Sequence, residues 1–484
     1  MFRAVRAPWL NDEPPSGSYA AAVPAHQPAQ ARSPATVTVT ARGVSQIRAG
    51  HPWIYRPDVV RGPDTDAGGG GPTLVAVLDG HGHRLGAATW AATARLALRM
   101  VTRAGDPDDV PRGEPIEGSG DLDALLSCVR ARFPLAHQRR VAATSAGTMR
   151  RNAYRVVHAE SDRLPGLIVD RYGEAVVMQT TSVAMNAARA RLAPLVAEWL
   201  GAPMVVARDD GSARDFEDLP REARVLIGGD GRVGVGDGDG GAGAGGGADG
   251  HGWHTGATRV RYRIGDNQFE ADLMTDGKTG GFLDQAENQL AVAALAPPGG
   301  RVLDAFTHHG GFALALARRA ASVLATDLSA EAVARTRANA LGNGLTNVTA
   351  RQEDAFELLR TLEAQRARFD VVVLDPPALA KRGGRAGNRP GSTALLAADR
   401  AYRELFLRGA RITEPGGLLV LCSCSGRVGR EHFEKLVSES LADSGRTAHI
   451  LARNGAASDH PELVGVPETG HLKCWILRIA ASPP

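Results

Sequence analysis

The hydrophobic and polar positions change period several times along the chain, and those changes divide it. Residues 1–34 mix Pro, Ala, Ser and Gln without a two-residue or 3.6-residue repeat, a composition that buries too little apolar surface to offset the entropy of ordering. A disordered tail is expected there. From Val37 the run Val-Thr-Val-Thr alternates with period two, and strand-like runs follow at Thr73–Leu78, Arg84–Trp90 and Arg95–Val101. Punctuated by Gly and His turns, these predict a small β-rich barrel over residues 35–112. Leu122–Arg151 reads as a helix, or two broken near Pro134, with Leu125, Leu126, Val129 and Phe133 at core spacing. Strands at Leu167–Val169, Ala175–Thr180 and Met204–Ala207 and a helix over Asn186–Leu200 make residues 113–227 an α+β middle domain. Residues 228–257 are mostly Gly, Asp and Ala, a flexible insert whose glycines form no phosphate loop, since no strand feeds them and no helix follows.

Over residues 258–484 strand and helix alternate. Strands are expected at Val302–Ala305, Ser322–Thr326, Val348–Arg351, Val371–Leu374 and Leu418–Cys422, with helices at Phe312–Arg319, Ala330–Leu341, Phe356–Ala364 and Tyr402–Ile412. Repeated βα units require right-handed crossovers and a parallel sheet. The fold class is therefore α/β, with a doubly wound, Rossmann-like C-terminal domain whose ligand crevice lies at the carboxyl ends of its strands.

The strand ends carry chemistry. Asp304 closes the first strand, Phe306 follows, and Gly310-Gly311 stand where the next helix begins, allowing close backbone approach to a ligand. This is not the dinucleotide GxGxxG, and a carboxylate there repels a pyrophosphate. A nucleoside with an amino-bearing tail fits better. Asp327 ends the second strand, where it can accept from ribose hydroxyls, and Asp354, after the third, can accept from an adenine amino group. Each acid alone also reads as a helix N-cap; together they describe an S-adenosyl-L-methionine (SAM) pocket. The fourth strand runs into Asp375-Pro376-Pro377, a rigid turn without NH donors that presents carbonyls and a carboxylate to an amino or ring NH group of a base. Leu421-Cys422-Ser423-Cys424-Ser425-Gly426 ends the next strand. A thiolate adding at C6 of a pyrimidine makes C5 nucleophilic enough to take a methyl group. The other reading of a cysteine in a strand is a buried structural one.

Composition sharpens this picture only in places. The chain has 484 residues, enough for two or three domains, and its 43% apolar and 23% charged content is that of a soluble globular protein. A net charge of +3 with only four lysines announces no nucleic-acid partner by itself. Locally it is different: between Ala124 and Ala159 there is no acid, but there are Arg130, Arg132, Arg139, Arg140, Arg150, Arg151 and Arg155. This is either a phosphate-facing patch or a solvated helix face. Four cysteines without CxxC or metal-ligand spacing predict no metal and a reducing, cytoplasmic setting. No stretch approaches the roughly 20 apolar residues of a membrane span, and Met1–Arg6 leads into no apolar run long enough for export.

Several motifs together resemble the RlmI-like family, bacterial large-subunit ribosomal RNA (cytosine-C5) methyltransferases. They are His51-Pro52-Trp53-Ile54, Glu160-Ser161-Asp162 through Leu164-Pro165-Gly166-Leu167, Asp170-Arg171-Tyr172-Gly173, Lys278-Thr279-Gly280 through Phe282-Leu283-Asp284-Gln285, Asp375-Pro376-Pro377, Ser423-Cys424-Ser425-Gly426, His460-Pro461 and Leu472-Lys473. The resemblance covers about residues 37–480 except the Gly-rich insert. It implies a PUA-like RNA-binding domain at residues 35–112, a class I methyltransferase domain at residues 258–484, and structured RNA, above all 23S ribosomal RNA, as partner. It implies Cys424 rather than Cys422 as the cytosine nucleophile, and Asp284 and Gln285 near the cofactor or base. The expected catalytic residues are then Cys424 and Asp375. Cofactor contacts are expected at Asp304, Phe306, Gly310, Gly311, Asp327, Asp354 and Gln285, and RNA contacts at Arg139, Arg140, Arg151 and Lys278. A homodimer is compatible with this reading. The chain departs from the family at Ala286, where an Arg is usual, and at His308-His309, where Tyr-Thr or a similar pair is usual. Two alternatives carry different tests: methylation of a guanine or adenine nitrogen, which leaves Cys424 without a task, and a non-catalytic SAM-binding ribosome-assembly factor.

Overall fold

In the computed structural model, residues 35–63, 74–106, 121–146, 151–228, 258–379 and 393–481 are described. The expected tail (1–34) and nearly all of the Gly-rich insert lie outside them, as do Arg150 and Lys381.

The first unit is a six-stranded sheet with spatial order Trp53–Tyr55, Leu96–Arg103, Arg84–Trp90, Leu74–Leu78, Thr36–Val39, Val59–Arg61. Its alternating positions Val37, Val39, Val75 and Val77 point into one core with Ile54 and Leu98. It also contains a helix the pattern did not reveal, Ala41–Arg48, capped by Thr40 Oγ1. Only Gly43 and Ile47 of it are buried, too few positions to register a helical period.

The second unit is a five-stranded sheet made of Ala153–His158, Leu167–Tyr172, Ala175–Thr180, Met204–Asp209 and Glu222–Ile227, adjacent in chain order. Helices Asp121–Ala146 and Val183–Leu200 pack on it through Leu125, Leu126, Val129, Phe133, Leu192 and Val196. Of the two readings, one helix or two broken near Pro134, the structure has the first, a single helix that runs through the proline. A proline inside a helix costs about 3 kcal/mol, and the apolar face buried on both sides of it opposes that cost. Arg151, expected in this helix, instead forms a β-bridge to Ile264. That residue belongs to a hairpin, Arg259–Ile264 with Asn267–Asp272, which the expected strand–helix alternation did not include.

The third unit holds a seven-stranded sheet. Its strands are β1 (Arg301–Ala305), β2 (Ser322–Asp327), β3 (Val348–Gln352), β4 (Phe369–Leu374), β5 (Thr413–Ser423), β6 (Ala448–Asn454) and β7 (Lys473–Ile479), in the order β3-β2-β1-β4-β5-β7-β6. The first five are parallel, and β7 inserts antiparallel beside β5. The intervening helices are α1 (Gly311–Ala317), α2 (Ala330–Gly342), α3 (Ala355–Ala364), α4 (Thr393–Ile412) and α5 (Arg430–Ser444). Chain order reverses between β1 and β4, so their carboxyl ends diverge and leave a crevice. The inner strands β1, β4, β5 and β7 carry Val/Leu/Ile-rich runs because both their faces are buried, whereas the outer strands β3 and β6 are largely exposed.

Candidate active site

One crevice collects the carboxyl ends of these strands. Phe306, Thr307, His308, His309 and Gly311 enter it after β1, Asp327 and Leu328 at the end of β2, and Glu353 to Phe356 after β3. Asp375, Pro376 and Pro377 enter after β4, and Cys424 after β5. The far wall comes from the hairpin residues Tyr262 and Phe269 and from Lys278, Phe282, Asp284, Gln285 and Gln289.

The turn after β1 is held from behind. Asp304 Oδ2 accepts from Thr307 Oγ1 (2.7 Å) and from the Ala313 amide (2.9 Å). It does not line the crevice, and its buried Oδ1 has no partner among the described residues. Burial first, then nearby Asp375 and Asp327, push its carboxyl up to about 7. Asp304 thus ties the turn to α1 rather than facing into the cleft. Gly310 also lies behind the wall, with φ +86°, where a side chain would be strained. At Gly311 a Cβ would stand 2.2 Å from Gln289 Nε2, so that glycine makes room for a neighbouring side chain.

Asp327 accepts from the His308 amide through Oδ2 and the Ser329 amide through Oδ1, both at 2.9 Å. Asp354 caps α3 through Oδ1, accepting from the Phe356 and Glu357 amides. Asp354 therefore does both things the sequence allowed, capping its helix and facing the crevice, whereas the N-cap of α2 is Ser329 and Asp327 holds the His308 and Ser329 amides while facing the crevice. Sequence reasoning missed Glu353, which lines the same end and has a buried Oε2 without a partner among the described residues.

At the other end Asp375 Oδ2 accepts from Gln285 Nε2 at 2.9 Å. Burial, then the charge of Asp284, push Asp375 up to about 7. Cys424 Sγ lies 4.0 Å from the Pro376 carbonyl oxygen, and burial, then Asp375, push its thiol up to about 11. Cys422 and Cys424 do not share a face of exposure. Cys422 packs in the core opposite Cys474 and only Cys424, beyond the end of β5, reaches the cleft. Beneath it Lys473 is buried, its Nζ donating to the carbonyls of Ser425 (2.8 Å) and His471 (2.9 Å). Burial pulls its ammonium down to about 8, against the opposing pull of Cys424. The Leu472-Lys473 motif pointed to this residue without saying why.

The expected basic patch is corrected. Arg140 is buried, with both terminal nitrogens on the Asp162 carboxylate (2.7 and 2.6 Å), and Arg139 reaches the same group at 3.0 Å from the surface. Arg151 is buried against Glu287 and Asp459 (3.4 and 3.6 Å), and Arg155 grips Asp170. The segment has no acid of its own, but the fold brings acids to it from outside, so Arg140 and Arg151 are not available to phosphate. Lys278 stands at the cleft wall, on Asp284 Oδ2 (2.7 Å) and over the Phe282 ring. Asp284 is held well below the usual carboxylate range by Lys278 and His471, although burial opposes it.

Among the described residues the cleft is lined by the acids Asp284, Asp327, Glu353, Asp354 and Asp375 and by one lysine or arginine, Lys278. Burial holds His308 and His309, stacked at 3.7 Å, neutral down to about 3. Such a surface repels a polyphosphate and suits a nucleoside carrying positive charge. The sulfonium and ammonium groups of SAM meet that requirement.

Fold and cleft together define a SAM-dependent methyltransferase. Residues 297–459 match the family model described as a methyltransferase domain, and residues 37–103 one described as a PUA-like domain. Ribosomal RNA large subunit methyltransferase I of Aeromonas hydrophila is 30% identical over 434 residues, covering 88% of this chain and 95% of that protein. The protein of the same description from Aeromonas salmonicida is 28% identical over 431 residues, with the same coverage. The chain belongs to the ribosomal RNA large subunit methyltransferase I family. Its fold is shared with a solved protein described as a SAM-dependent methyltransferase from Streptococcus mutans, at TM-score 0.66 and 15% identity over 92% of this chain and all of that one. Among the described residues no helix is long and apolar enough to cross a membrane.

Proposed function

We propose that this enzyme transfers a methyl group to C5 of a cytosine in large-subunit ribosomal RNA through a covalent bond between Cys424 and C6. The observation that carries the reading is that Asp375 and Cys424, after the adjacent parallel strands β4 and β5, face one cleft whose other end is lined by carboxylates. The bound cofactor supplies an electrophilic methyl group, with Asp327, Asp354 and Glu353 recognising its adenosyl part.

The remaining chemistry falls to this chain's side chains. The target base leaves its stack and enters the cleft beside Asp375 and Cys424, at a cost of a few kcal/mol. Asp375, titrating near neutrality, holds the N3 edge and supplies it a proton as the Cys424 sulfur bonds to C6. That sulfur is a neutral thiol in the resting cleft. Its ionisation is opposed by Asp375 and aided by Lys278 and by the buried ammonium of Lys473, so neutralising Asp375 and forming the thiolate go together. After methylation a water molecule takes the C5 proton, the electrons of that C–H bond form C5=C6 as the S–C6 bond breaks to release the Cys424 thiolate, and N3 returns its proton to Asp375. In this reading Lys278, beside the same cleft, meets the backbone of the incoming strand, and the PUA-like unit holds the surrounding RNA.

No aromatic side chain follows Pro377; Ala378 and Leu379 do. A ring that stacks a purine for nitrogen methylation is therefore missing from that turn. The test is methyl transfer to ribosomal RNA by the Cys424→Ala enzyme, together with capture on 5-fluorocytosine RNA. An adduct at Cys424 and an inactive variant are expected. Full activity of the variant sinks the thiolate mechanism, and methyl transfer to no RNA by the intact enzyme favours a binding role.

A further inference from the structure

Asn288 sits three residues beyond Gln285, on the first turn of the helix Ala286–Leu295, and is buried. Its Nδ2 donates twice, to Gln285 Oε1 at 2.7 Å and to the carbonyl oxygen of Gly455 at 3.0 Å. Gln285 Nε2 in turn donates to Asp375 Oδ2. Side-chain amides can turn over and exchange O for N, so the direction of such a chain needs a fixed end. Gly455 provides it. A backbone carbonyl only accepts, so the Asn288 atom facing it must be the NH2 group. That same nitrogen faces Gln285, which must answer with its oxygen and thereby turn its NH2 toward Asp375. The loop after β6 is itself held at the site, since the Ala457 amide donates to the Asp284 carbonyl at 2.8 Å.

We propose that Asn288 is a positioning residue, which uses the Gly455 carbonyl to lock the Gln285 amide so that Asp375 Oδ2 is always an acceptor. Any proton on the Asp375 carboxyl is then carried by Oδ1. The proposal rests on the reading of Asp375 as the acid at the base edge. It deepens that reading, because an acid that hands a proton to a ring nitrogen must carry it on one defined oxygen. Without Asn288, Gln285 can present its oxygen to Oδ2, two acceptors then face each other, and the contact is relieved when Oδ2 takes the proton. The carboxyl would titrate higher and hold its proton on the wrong side. The ionisable groups around it are Asp284, Lys278, Asp304, Cys422, Cys424 and Tyr402, none of which the substitution removes.

The experiment is a double-mutant cycle on methyl transfer to ribosomal RNA, with Asn288→Ala, Gln285→Leu and the pair, each assayed across pH. Asn288→Ala is expected to lower kcat about tenfold at unchanged KM for SAM and to move the pH limb belonging to Asp375 upward. In the Gln285→Leu background it is expected to add nothing, since Asn288 acts only through Gln285. Additive losses, or an unmoved pH limb, overturn the proposal. Should Asn288→Ala not fold, Asn288→Ser, whose single hydroxyl proton serves one of the two oxygens, is read in the same way. Asp375→Asn is the control. If it retains full activity, the reading of Asp375 fails. If it is inactive while the cycle is additive, only the role of Asn288 fails.

Discussion

The hydroxyl of Thr279 donates to Asp170 Oδ2 at 2.7 Å, joining the cleft wall to a strand of the middle sheet 109 residues away in sequence. The proton inventory is closed around this contact. Asp170 already takes Arg155 Nε and Nη2 (2.7 and 2.9 Å), so Thr279 spends its proton on the carboxylate. Tyr172 Oη, 2.8 Å from Thr279 Oγ1 and 3.2 Å from the Gly281 carbonyl, is then a donor to that pair. The middle unit thus grips the segment bearing Lys278, Asp284 and Gln285.

Thr279→Val keeps the shape and removes the hydroxyl, leaving Asp170 short of one donor in a buried site. A stability loss of about 1–3 kcal/mol is expected, with a lower kcat because the wall carrying Gln285 loosens. Thr279→Ser should restore both. Urea unfolding and turnover are measured on the same samples; unchanged turnover in Thr279→Val would separate the middle unit from the cleft.

Arg99 of the PUA-like unit donates to Glu160 Oε1 (2.6 Å) and Glu217 Oε1 (2.5 Å) of the middle unit, and Trp53 Nε1 shares Glu160 at 2.9 Å. All three charged groups are at least nine-tenths buried. Arg99→Ala leaves two buried carboxylates unpaired and is expected to cost about 3–5 kcal/mol. Arg99→Lys, with one compact ammonium, should recover only part of it. Denaturant midpoints of the three proteins check the order.

The Cys424 thiol is raised by burial and, secondly, by the Asp375 charge. Asp375→Asn removes the second cause, so the thiol should ionise at lower pH even as methyl transfer falls. Iodoacetamide labelling at pH 8, read by mass spectrometry, is expected to be faster at Cys424 in this variant than in the parent. Equal or slower labelling would mean that the carboxylate does not act on the sulfur.

His308 and His309 titrate at about 3 in the folded chain against 6.5 when free. Their folded pKa is depressed, so below pH 6.5 the unfolded chain binds protons that the folded chain refuses. Stability is therefore lost as pH falls from 6.5 toward 3, by up to about 2 kcal/mol per histidine at pH 5. Asp304 and Asp375, raised to about 7, act with the opposite sign over much of that window. The variant His308→Tyr with His309→Thr should lose less stability than the parent between pH 7.5 and 5. Thermal melts at both values give the difference, and an equal loss would show that the pair takes up protons while folded.

Much of this protein follows from its sequence alone. Strand-like runs place four of the six strands of the first sheet, missing the three-residue strands Trp53–Tyr55 and Val59–Arg61, and the Val/Leu runs ending in Asp304, Asp327 and Asp375 place the crevice, because a parallel sheet buried on both faces leaves only its strand ends for ligands. The motifs put Cys424 beside Asp375 in expectation. What the sequence could not determine is which charges remain free. A run without acids reads as a basic face, yet Arg140, Arg151 and Arg155 meet Asp162, Asp459 and Asp170 only through tertiary contacts. Only the fold separates Cys422 from Cys424, because the strand ends between them and one thiol enters the core while the other turns to the cleft. The direction of the amide chain from Gly455 through Asn288 and Gln285 to Asp375 is likewise tertiary: hydrogen-bond polarity depends on which groups face each other across the loops, and residues 167 apart set it.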